Sequence, residues 1–457
     1  MDTPQAAHRS LPVAAPADSV SRSSLRRAIA AAAIGNMLEW YDFTVYALFA
    51  TYIANAFFAN HDPATALIGA FLTFGAGFVI RPLGAILIGD YGDRAGRKAA
   101  LTLTILLMAL GTLLIAIAPT YAAIGVGAPL MLLFGRLLQG LSAGGEVGSA
   151  SAFLVESAPA GQRGTVAAWL EASMGVSNIL GALVAFVVTS SLSAQQLQTW
   201  GWRVPFIVGL LIVPAGLLLR RTLSETAEFN AVLAQRQLEP ATAQAPLLAT
   251  FVAHGRDLLI GFGICILWAV AVYVLIVYTP VYAHTAFGFP ASQAFAASMI
   301  GNLLFVPTCL IAGRLSDRIG RARALLLSAL ALLVCVLPLY WVLQTHSTEL
   351  TLILVQSALC VLVAAFVSVA PAALADLFPA KVRSTGIALV YNAAFTIFGG
   401  FAAAILTWAT HRFSGFALAP AWYVTAAAAV TLLTLWPFHR RLLAARALAL
   451  TGNALAS

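Results

Sequence analysis

This 457-residue chain is short of charge, because Asp, Glu, Lys and Arg together make up only 9% of it. Soluble domains carry about 25% charged residues, so a soluble globular fold is excluded. Cysteine is also scarce: the 4 residues lie apart without a C-x-x-C pair, which favours buried free thiols over disulfides or a zinc site. The 7 histidines show no metal-ligand spacing, and no nucleophile–base motif occurs. We therefore expect neither an enzyme nor a metal or cofactor.

Hydrophobic residues, in contrast, make up 61% of the chain, and the mean hydropathy is +0.91. Apolar runs of about 20 residues are long enough to cross a bilayer as helices. The runs are continuously apolar, so an all-α membrane protein is predicted. We predict twelve spans, at 28–58, 66–89, 98–118, 128–156, 164–190, 203–220, 257–282, 292–312, 323–343, 350–376, 385–408 and 420–438.

The net charge of +8 is distributed unevenly across these predicted spans. Lys and Arg fall on one side of the membrane, except for Arg81, Arg136, Arg203 and Arg412. The positive-inside rule then predicts that both termini are cytoplasmic. The basic balance thus indicates topology, and no nucleic-acid partner is expected.

The longest hydrophilic interruption, 221–256, divides the spans six and six. We predict a disordered cytoplasmic tail at 1–24, a first half at 25–220, a cytoplasmic linker at 221–256, a second half at 257–440 and a second tail at 441–457.

Two motifs relate the halves at nearly the same offset. In the first, Gly89, Asp93, Arg94, Gly96 and Arg97 align with Gly313, Asp317, Arg318, Gly320 and Arg321; in the second, Glu156, Pro159 and Arg163 align with Asp376, Pro379 and Arg383. The halves are therefore predicted to be parallel repeats, as in transporters that rock one half against the other.

Charged residues inside the first half are candidates for function, because an ionisable group in a bilayer costs about 2.5–3.5 kcal/mol or more. Glu39 and Asp42 lie three residues apart on one face of the first span, at a depth similar to that of Arg81 in the second. This arrangement predicts an ion pair. It can be a fixed structural link, or a carboxyl that changes protonation beside an arginine that attracts an anion.

The fourth span carries a second arginine, Arg136, on one stripe with Gln139 and Gly140, and Glu146 follows on a similar face. A guanidinium binds carboxylates through two parallel hydrogen bonds, which suits an organic acid. The alternative is that Arg136 braces Glu146. The small residues of "GLSAGGEVGSAS" are predicted to pack helices closely, not to cradle phosphate.

The spans of the second half offer neutral polar groups instead, among them Tyr278, Tyr391 and Asn392. Such aromatic residues can equally be packing or interface anchors. In the fifth span Glu171 lies about two turns from the cytoplasmic end, so a solvated position, a gate and a site role all remain open.

Several longer motifs carry a resemblance. Both copies of G-x-x-x-D-R-x-G-R and "GRLLQGLSAGGEVGSASAFLVESAP" resemble the signatures of the major facilitator superfamily. More narrowly, "GNMLEWYDFTVY", "RPLGAILIGDYGDRAGRK", "WGWRVPF" and "IFGGFAA" resemble the metabolite:proton symporter family. The resemblance implies twelve helices in two six-helix repeats, alternating access, and a role for Arg136 in substrate binding or proton coupling.

With this resemblance the candidate roles divide into two groups. We predict proton coupling at Asp42, Glu39 and Glu146. Substrate binding is predicted at Arg81, Arg136, Gln139, Asn392, Tyr278 and Tyr391. No cofactor other than the coupling proton is expected.

The expected function is proton-coupled symport of a small organic anion into the cytoplasm. "ATYIANAFF", "FGAGFVIRPLGAI", "LRRTLSETAEF" and "VYTPVY" are most similar to citrate and tricarballylate carriers. The fifth span departs from that pattern at Leu170, Glu171, Met174 and Gly175. Alternatives are 2-oxoglutarate, shikimate, an aromatic acid, proline or betaine, or an organic-acid antiporter. We expect a monomer in a bacterial inner membrane.

The charged loop motifs are predicted to form a gate. Asp93 would face the start of the eleventh span near Ser384 and Thr385, because a helix N-terminus favours an anion, and Arg97 would reach Glu156. By repeat symmetry Asp317 would face the fifth span near Thr165, with Arg321 near Asp376. The gate also includes Arg163 and Arg383.

Overall fold

A computed structural model of the chain describes residues 22–58, 62–95, 97–144, 151, 154–155, 158–159, 161–221, 247–379, 382–413 and 417–454. These residues are almost wholly helical, and no β-strand occurs among them. Eight of their helices are long and apolar enough to cross a membrane, and the shorter helices Thr102–Ile117 and Gly201–Pro214 are also apolar. The predicted all-α membrane fold is confirmed.

The spans are numbered here in chain order. In the first half they are span 1 (Arg22–Leu48 and Ala50–Phe57), span 2 (Pro63–Val79 and Arg81–Ala95), span 3 (Arg97–Ile117), span 4 (Gly127–Gly144), span 5 (Arg163–Ser191) and span 6 (Val204–Arg221).

The second half has the same number of spans. They are span 7 (Leu247–Val270, Ala271–Tyr278 and Thr279–Phe287), span 8 (Ala291–Ile319), span 9 (Arg321–Thr345), span 10 (Glu349–Val367 and Ala370–Leu377), span 11 (Arg383–Ala394, Phe395–Gly400 and Ala402–Arg412) and span 12 (Ala419–Ala454).

Local sequence signals explain several of the helix ends. The Asp62 side chain accepts hydrogen bonds of 3.1 Å from the backbone N–H groups of Ala64 and Thr65 at the start of span 2, and Pro63 is the first helical residue. Gly288 ends span 7 with a φ of 72°, a left-handed conformation that glycine adopts without steric cost. These turns allow neighbouring spans to run antiparallel.

The predicted spans differ from the observed helices in their interruptions. Spans 1 and 2 break at Phe49 and Ile80, and the middles of spans 7 and 11 widen into π-helix over Ala271–Tyr278 and Phe395–Gly400. Apolar composition does not reveal a widened turn, because a π-turn and an α-turn can contain the same residues. Widened turns of this kind often occur at functional sites. Span 12 also continues past its predicted end at 438 to Ala454.

The outer faces of the spans are apolar and exposed, as a lipid-facing surface requires. Leu433, Leu211 and Leu259 are 75%, 73% and 69% exposed. After Leu259, span 7 enters the interior and is almost completely buried from Gly261 to Ala283. The helices therefore enclose a core while presenting leucine to the hydrocarbon.

The two halves contact each other through spans 5 and 8. Gly175 faces Phe305, whose Cδ1 would lie 2.7 Å from a Cβ at that position. Deeper in the same interface the Asn178 amide donates a hydrogen bond of 3.2 Å to Asn302. At the opposite end from the termini, the rings of Phe49 and Phe295 lie 6.1 Å apart. The halves thus touch in the middle of spans 5 and 8 and near the face opposite the termini.

Candidate functional site: a buried charge network in the first half

Close packing of spans 2 and 4 positions both intramembrane arginines. A Cβ on Gly140 would overlap the carbonyl of Gly77, and one on Gly144 would overlap the carbonyl of Arg81. Gly84 meets the backbone of Leu141 in the same way. The prediction that the small residues of this stretch serve packing is confirmed for these two glycines of span 4.

Arg81 forms the predicted ion pair, and its partner is Glu39. Its Nη2 donates to Oε1 of Glu39 over 2.9 Å, and the side chains are 1% and 2% exposed. The Arg81 guanidinium also lies 4.1 Å from the ring centroid of Phe78 and 5.0 Å from that of Phe43. An ion pair so well enclosed links spans 1 and 2 firmly.

Asp42 does not join this pair but turns toward spans 3 and 4. Its Oδ2 accepts hydrogen bonds from the Thr112 hydroxyl at 2.5 Å and from the Gln139 amide at 3.3 Å. The Gln139 amide also donates to the Thr112 hydroxyl over 2.9 Å. The two carboxyls of span 1 therefore have different partners, and only Asp42 is held by neutral groups.

Arg136 reaches this second network through Gln139. Its Nη1 donates to Oε1 of Gln139 over 2.6 Å, and the side chain is 1% exposed. The guanidinium lies 4.5 Å from the ring centroid of Tyr46 and 4.7 Å from that of Phe74. Among the described residues, the Nε and Nη2 of Arg136 have no hydrogen-bond partner, so two donor nitrogens of this buried cation are unused there.

The side-chain amide of Gln139 thus connects the Asp42 carboxyl to the Arg136 guanidinium. If Asp42 is ionised, its charge compensates Arg136 through Gln139. If it is protonated, no other carboxylate of the described residues is bonded to Arg136, either directly or through Gln139. Because charges interact strongly in a low-dielectric interior, the protonation state of Asp42 changes the electrostatic potential at Arg136.

Aromatic residues of the second half cover this region. Tyr273 stacks on Trp40 with ring centroids 5.7 Å apart, and the tyrosines 273 and 391 both lie within electrostatic range of Arg81. Tyr391 stacks on Phe395 at 3.7 Å. Tyr273 and Phe395 belong to the two π-helical segments, which bring their rings to the boundary between the halves.

The other candidates of the second half lie in different surroundings. Tyr278 shares a hydrogen bond of 3.1 Å with Thr407 and stacks on Tyr282, so its hydroxyl is used within its own half. Asn392 is buried in span 11 next to Tyr391. The structure therefore brings Tyr391, but not the Tyr278 hydroxyl, close to Arg81.

Glu171 is buried, with 4% exposure, so a solvated position at the end of span 5 is excluded. It lies within electrostatic range of Tyr391 and Cys309 in the second half. The described hydrogen bonds include none to its carboxyl, which faces the boundary between the halves.

Sequence reasoning missed several residues of this site. Thr112, Trp40 and Trp268 were not singled out, although Thr112 binds Asp42 directly and Trp268 packs edge-on against Tyr391 at 5.2 Å. The signal for Thr112 was a hydroxyl in the middle of an apolar span. Such a signal is weak, because a threonine can equally bond its own helix backbone.

The second copy of the predicted gate has the expected geometry. Asp317 accepts hydrogen bonds of 2.8 Å from the backbone N–H groups of Gly164 and Thr165 and from the Thr165 hydroxyl. Arg321 forms an ion pair with Asp376, which Arg163 also approaches at 3.3 Å. The role of these contacts in gating stays a prediction.

Other gate and site candidates cannot be placed as fully. The Nε of Arg383 donates to the Ala375 carbonyl over 2.8 Å. The side chains of Asp93, Arg97, Glu146 and Glu156 lie outside the described residues. All four cysteines are free thiols, as predicted, and no group of side chains among the described residues is suited to a metal ion.

A family model described as Major Facilitator Superfamily matches residues 32–364. The chain belongs to the major facilitator superfamily. A citrate-proton symporter from Klebsiella pneumoniae is 36% identical over 413 residues, which cover 89% of this chain and 90% of that protein. A proline/betaine transporter from Salmonella typhimurium is 32% identical over 423 residues, 91% of this chain and 83% of the relative.

Solved structures of the superfamily agree with the fold. The xylose transporter XylE from E. coli, in a partially occluded inward-open conformation, superposes with a TM-score of 0.72 at 19% identity and covers 91% of this chain and 98% of that one. The resemblance to the metabolite:proton symporters and the twelve-helix fold of two repeats are thereby confirmed. As a superfamily member, the protein is a multi-pass membrane transporter.

Proposed function

We propose that the protein is a proton-coupled symporter of a small organic anion with two or more carboxylates, of which citrate is the first candidate. The observation that carries the proposal is Arg136, a buried cation that is joined to Asp42 through Gln139 and has two donor nitrogens without a partner in the described part of the chain. A carboxylate of the substrate would accept hydrogen bonds from Nε and Nη2, the geometry in which arginine forks bind carboxylates. The citrate-proton symporter relatives support this choice.

Asp42 is the proposed proton carrier. Protonation of Asp42 removes the charge that compensates Arg136, so binding of the proton favours binding of the anion, and by linkage the anion favours the proton. Glu39 is proposed to stay ionised, because Arg81 holds it directly. Arg81 contributes positive potential near the substrate while it fixes span 1 against span 2.

Alternating access would then follow from rocking of the halves. The contacts of Asp317 with span 5 and of Arg321 and Arg163 with Asp376 hold one membrane face shut. We propose that this face is the cytoplasmic side of a bacterial inner membrane, with both termini on it. These contacts would break when the cavity opens inward.

Uptake into proteoliposomes tests the proposal. Purified protein should accumulate labelled citrate, or another di- or tricarboxylate, when a pH gradient is imposed, and an uncoupler should abolish the accumulation. Exchange that ignores the pH gradient would favour an antiporter. Failure to transport any carboxylate of the panel would refute the anion assignment.

A zwitterionic substrate is the second candidate, because Glu171 adds a buried carboxyl near the aromatic groups at the boundary between the halves. Aromatic faces and a carboxylate attract a substituted ammonium group, while Arg136 would take the substrate carboxylate. The proline/betaine transporters among the relatives support this reading. Competition of labelled citrate uptake by proline and betaine separates the candidates, and Glu171→Gln should abolish competition only if the ammonium group binds there.

A further inference from the structure

A small cavity lies inside the first half, away from the boundary between the halves. Its volume is about 20 Å³, enough for one water molecule. We call it the first-half cavity. Spans 1, 3, 4 and 6 line it, with the polar contributions coming from Glu39, Asp42, Thr104, Thr112 and Ser142, and with Gly209 in its wall.

The two oxygens of Asp42 face different surroundings. Oδ2 is held by Thr112 and Gln139 on the side of Arg136. Oδ1 accepts none of the described hydrogen bonds and faces span 6, where a Cβ on Gly209 would lie 3.2 Å from it. A carboxyl whose second oxygen borders a cavity of this size can exchange its proton with a water molecule there without disturbing the bonds to Oδ2.

The cavity extends from Asp42 toward the membrane face that carries the termini. Gly35 lines it seven residues before Asp42, Thr104 lines it eight residues before Thr112, and Val213 lines it four residues after Gly209 in the antiparallel span 6. At 1.5 Å per residue the lining covers about 10–12 Å along the helices. The lining residues of spans 1, 3 and 6 thus all place the cavity on the side of Asp42 that faces the termini.

At the same membrane face, side chains of the loop motifs join the two halves. Asp317 joins spans 5 and 8 there, and Asp376 is held by Arg321 and Arg163. The first-half cavity lies within one half, so these contacts between halves do not cross it. A proton route inside one half does not depend on rocking of the halves.

We propose that the first-half cavity binds a water molecule at Oδ1 of Asp42 and is the route by which a proton passes between Asp42 and the face that carries the termini, separate from the substrate path. The hydroxyl oxygens of Thr104 and Ser142 line the route, where they can accept hydrogen bonds from a water molecule. Ser142 donates to the Thr104 carbonyl over 2.7 Å, which fixes its side chain.

Other ionisable groups around Asp42 are already engaged. Glu39 is bound by Arg81, and the Tyr41 hydroxyl donates to the Pro205 carbonyl over 2.8 Å. Arg136 lies beyond Gln139. In the described lining of the cavity, spans 3, 4 and 6 contribute no ionisable side chain. Asp42 is therefore the group that a proton in this cavity would reach.

Gly209 gives the most direct variant, because Gly209→Ala places a methyl group against Oδ1 and the Tyr41 ring. Thr104→Val removes a hydroxyl from the other end while keeping the side-chain volume. Gly127→Ala is the matched control, since its Cβ would make an ordinary contact of 3.4 Å with Ile124.

The proposal rests on proton coupling at Asp42, so the readout must report Asp42 itself. The infrared C=O band of the protonated carboxyl is assigned in the purified protein by its loss in Asp42→Asn, and its shift after transfer to D2O gives the exchange rate. We expect exchange to slow about tenfold in Gly209→Ala and less in Thr104→Val, a factor of the size that one lost hydrogen bond gives. Gly127→Ala should exchange at the wild-type rate.

Two outcomes would overturn the proposal, and they differ. A band that is present but exchanges equally fast in both cavity variants refutes the route and leaves the coupling role of Asp42 intact. The absence of any band assignable to Asp42 contradicts both. Counterflow of labelled substrate in each variant reports that the protein is folded.

Discussion

The centres of the two halves differ in chemistry: charged side chains lie in the first, and neutral aromatic side chains face them from the second. In the first half, four charged side chains are buried. Arg81 binds Glu39 directly, and Arg136 is joined to Asp42 through Gln139. In the described centre of the second half, the groups that face them are neutral aromatic rings carried by π-helical turns. Under the proposed function, the charged centre would couple proton and anion, and the aromatic rings of the second half would shape the substrate site.

This difference also separates rigid from adaptable parts. A buried ion pair is costly to break, so Arg81 and Glu39 fix spans 1 and 2. Aromatic side chains present large surfaces with few rotatable bonds and can cover substrates of different shape. The comparison predicts that variants that remove a charge from the charged centre change coupling, whereas variants that keep the charge there, and variants of the aromatic centre, change affinity or selectivity.

The largest effect is expected for Asp42→Asn, which keeps the shape of the side chain but cannot carry the proton. Accumulation of substrate driven by a pH gradient should fall by at least about 100-fold, within the range of a lost proton-transfer group. Uptake into proteoliposomes measures it, with Glu349→Gln, an exposed carboxyl at the start of span 10, as the control. Wild-type accumulation in Asp42→Asn would make Asp42 structural.

Arg136→Lys is expected to have the next largest effect. It keeps the positive charge but loses the planar fork, so the apparent KM should rise about tenfold or more while proton coupling persists. Initial uptake rates across substrate concentrations give KM, and Arg412→Lys, at the exposed end of span 11, is the control. An unchanged KM would remove Arg136 from the substrate site.

Asp317→Asn changes a contact between the two halves and leaves the charged centre and the aromatic centre intact. The loss of charge weakens three hydrogen bonds to the start of span 5. The maximal transport rate should change about tenfold, while binding of substrate to the solubilised protein stays within about twofold. Lost binding with an unchanged rate would contradict a gating role.

Tyr391→Phe should have the smallest effect, because it removes one neutral hydroxyl near Arg81 and keeps the stack on Phe395. A neutral hydrogen bond contributes about 1 kcal/mol, so KM should rise by about fivefold at most. The test is competition among carboxylates of different length. If Tyr391→Phe abolishes pH-driven accumulation, the division of labour between the halves is wrong.

The charged part of the site could be predicted from the sequence because charge inside an apolar span is rare and costly. Glu39, Asp42, Arg81 and Arg136 stand out for that reason, and helical spacing correctly grouped Arg136 with Gln139. Spacing could not decide which carboxyl pairs with Arg81, since both lie on the same face of span 1. That choice depends on the packing of spans 2 and 4 through Gly140 and Gly77.

The neutral part of the site was harder to predict. Thr112 and Trp268 look like many other residues of an apolar span, and the π-helical turns that aim Tyr273 and Phe395 leave no mark in composition. Glu171 was ambiguous because distance from a helix end does not reveal which neighbour covers a residue. The gate geometry of Asp317 was predictable, because two aligned motifs restricted both partners at once.

The central claim is that Asp42 and Arg136 bind a proton and an anion together, and proton uptake during substrate binding tests it most directly. Citrate is added to purified protein in a weakly buffered solution, and the pH change is followed with an indicator dye. Wild-type protein should take up protons when the anion binds, and Asp42→Asn should bind the anion without proton uptake. Equal proton uptake by both proteins would contradict the account.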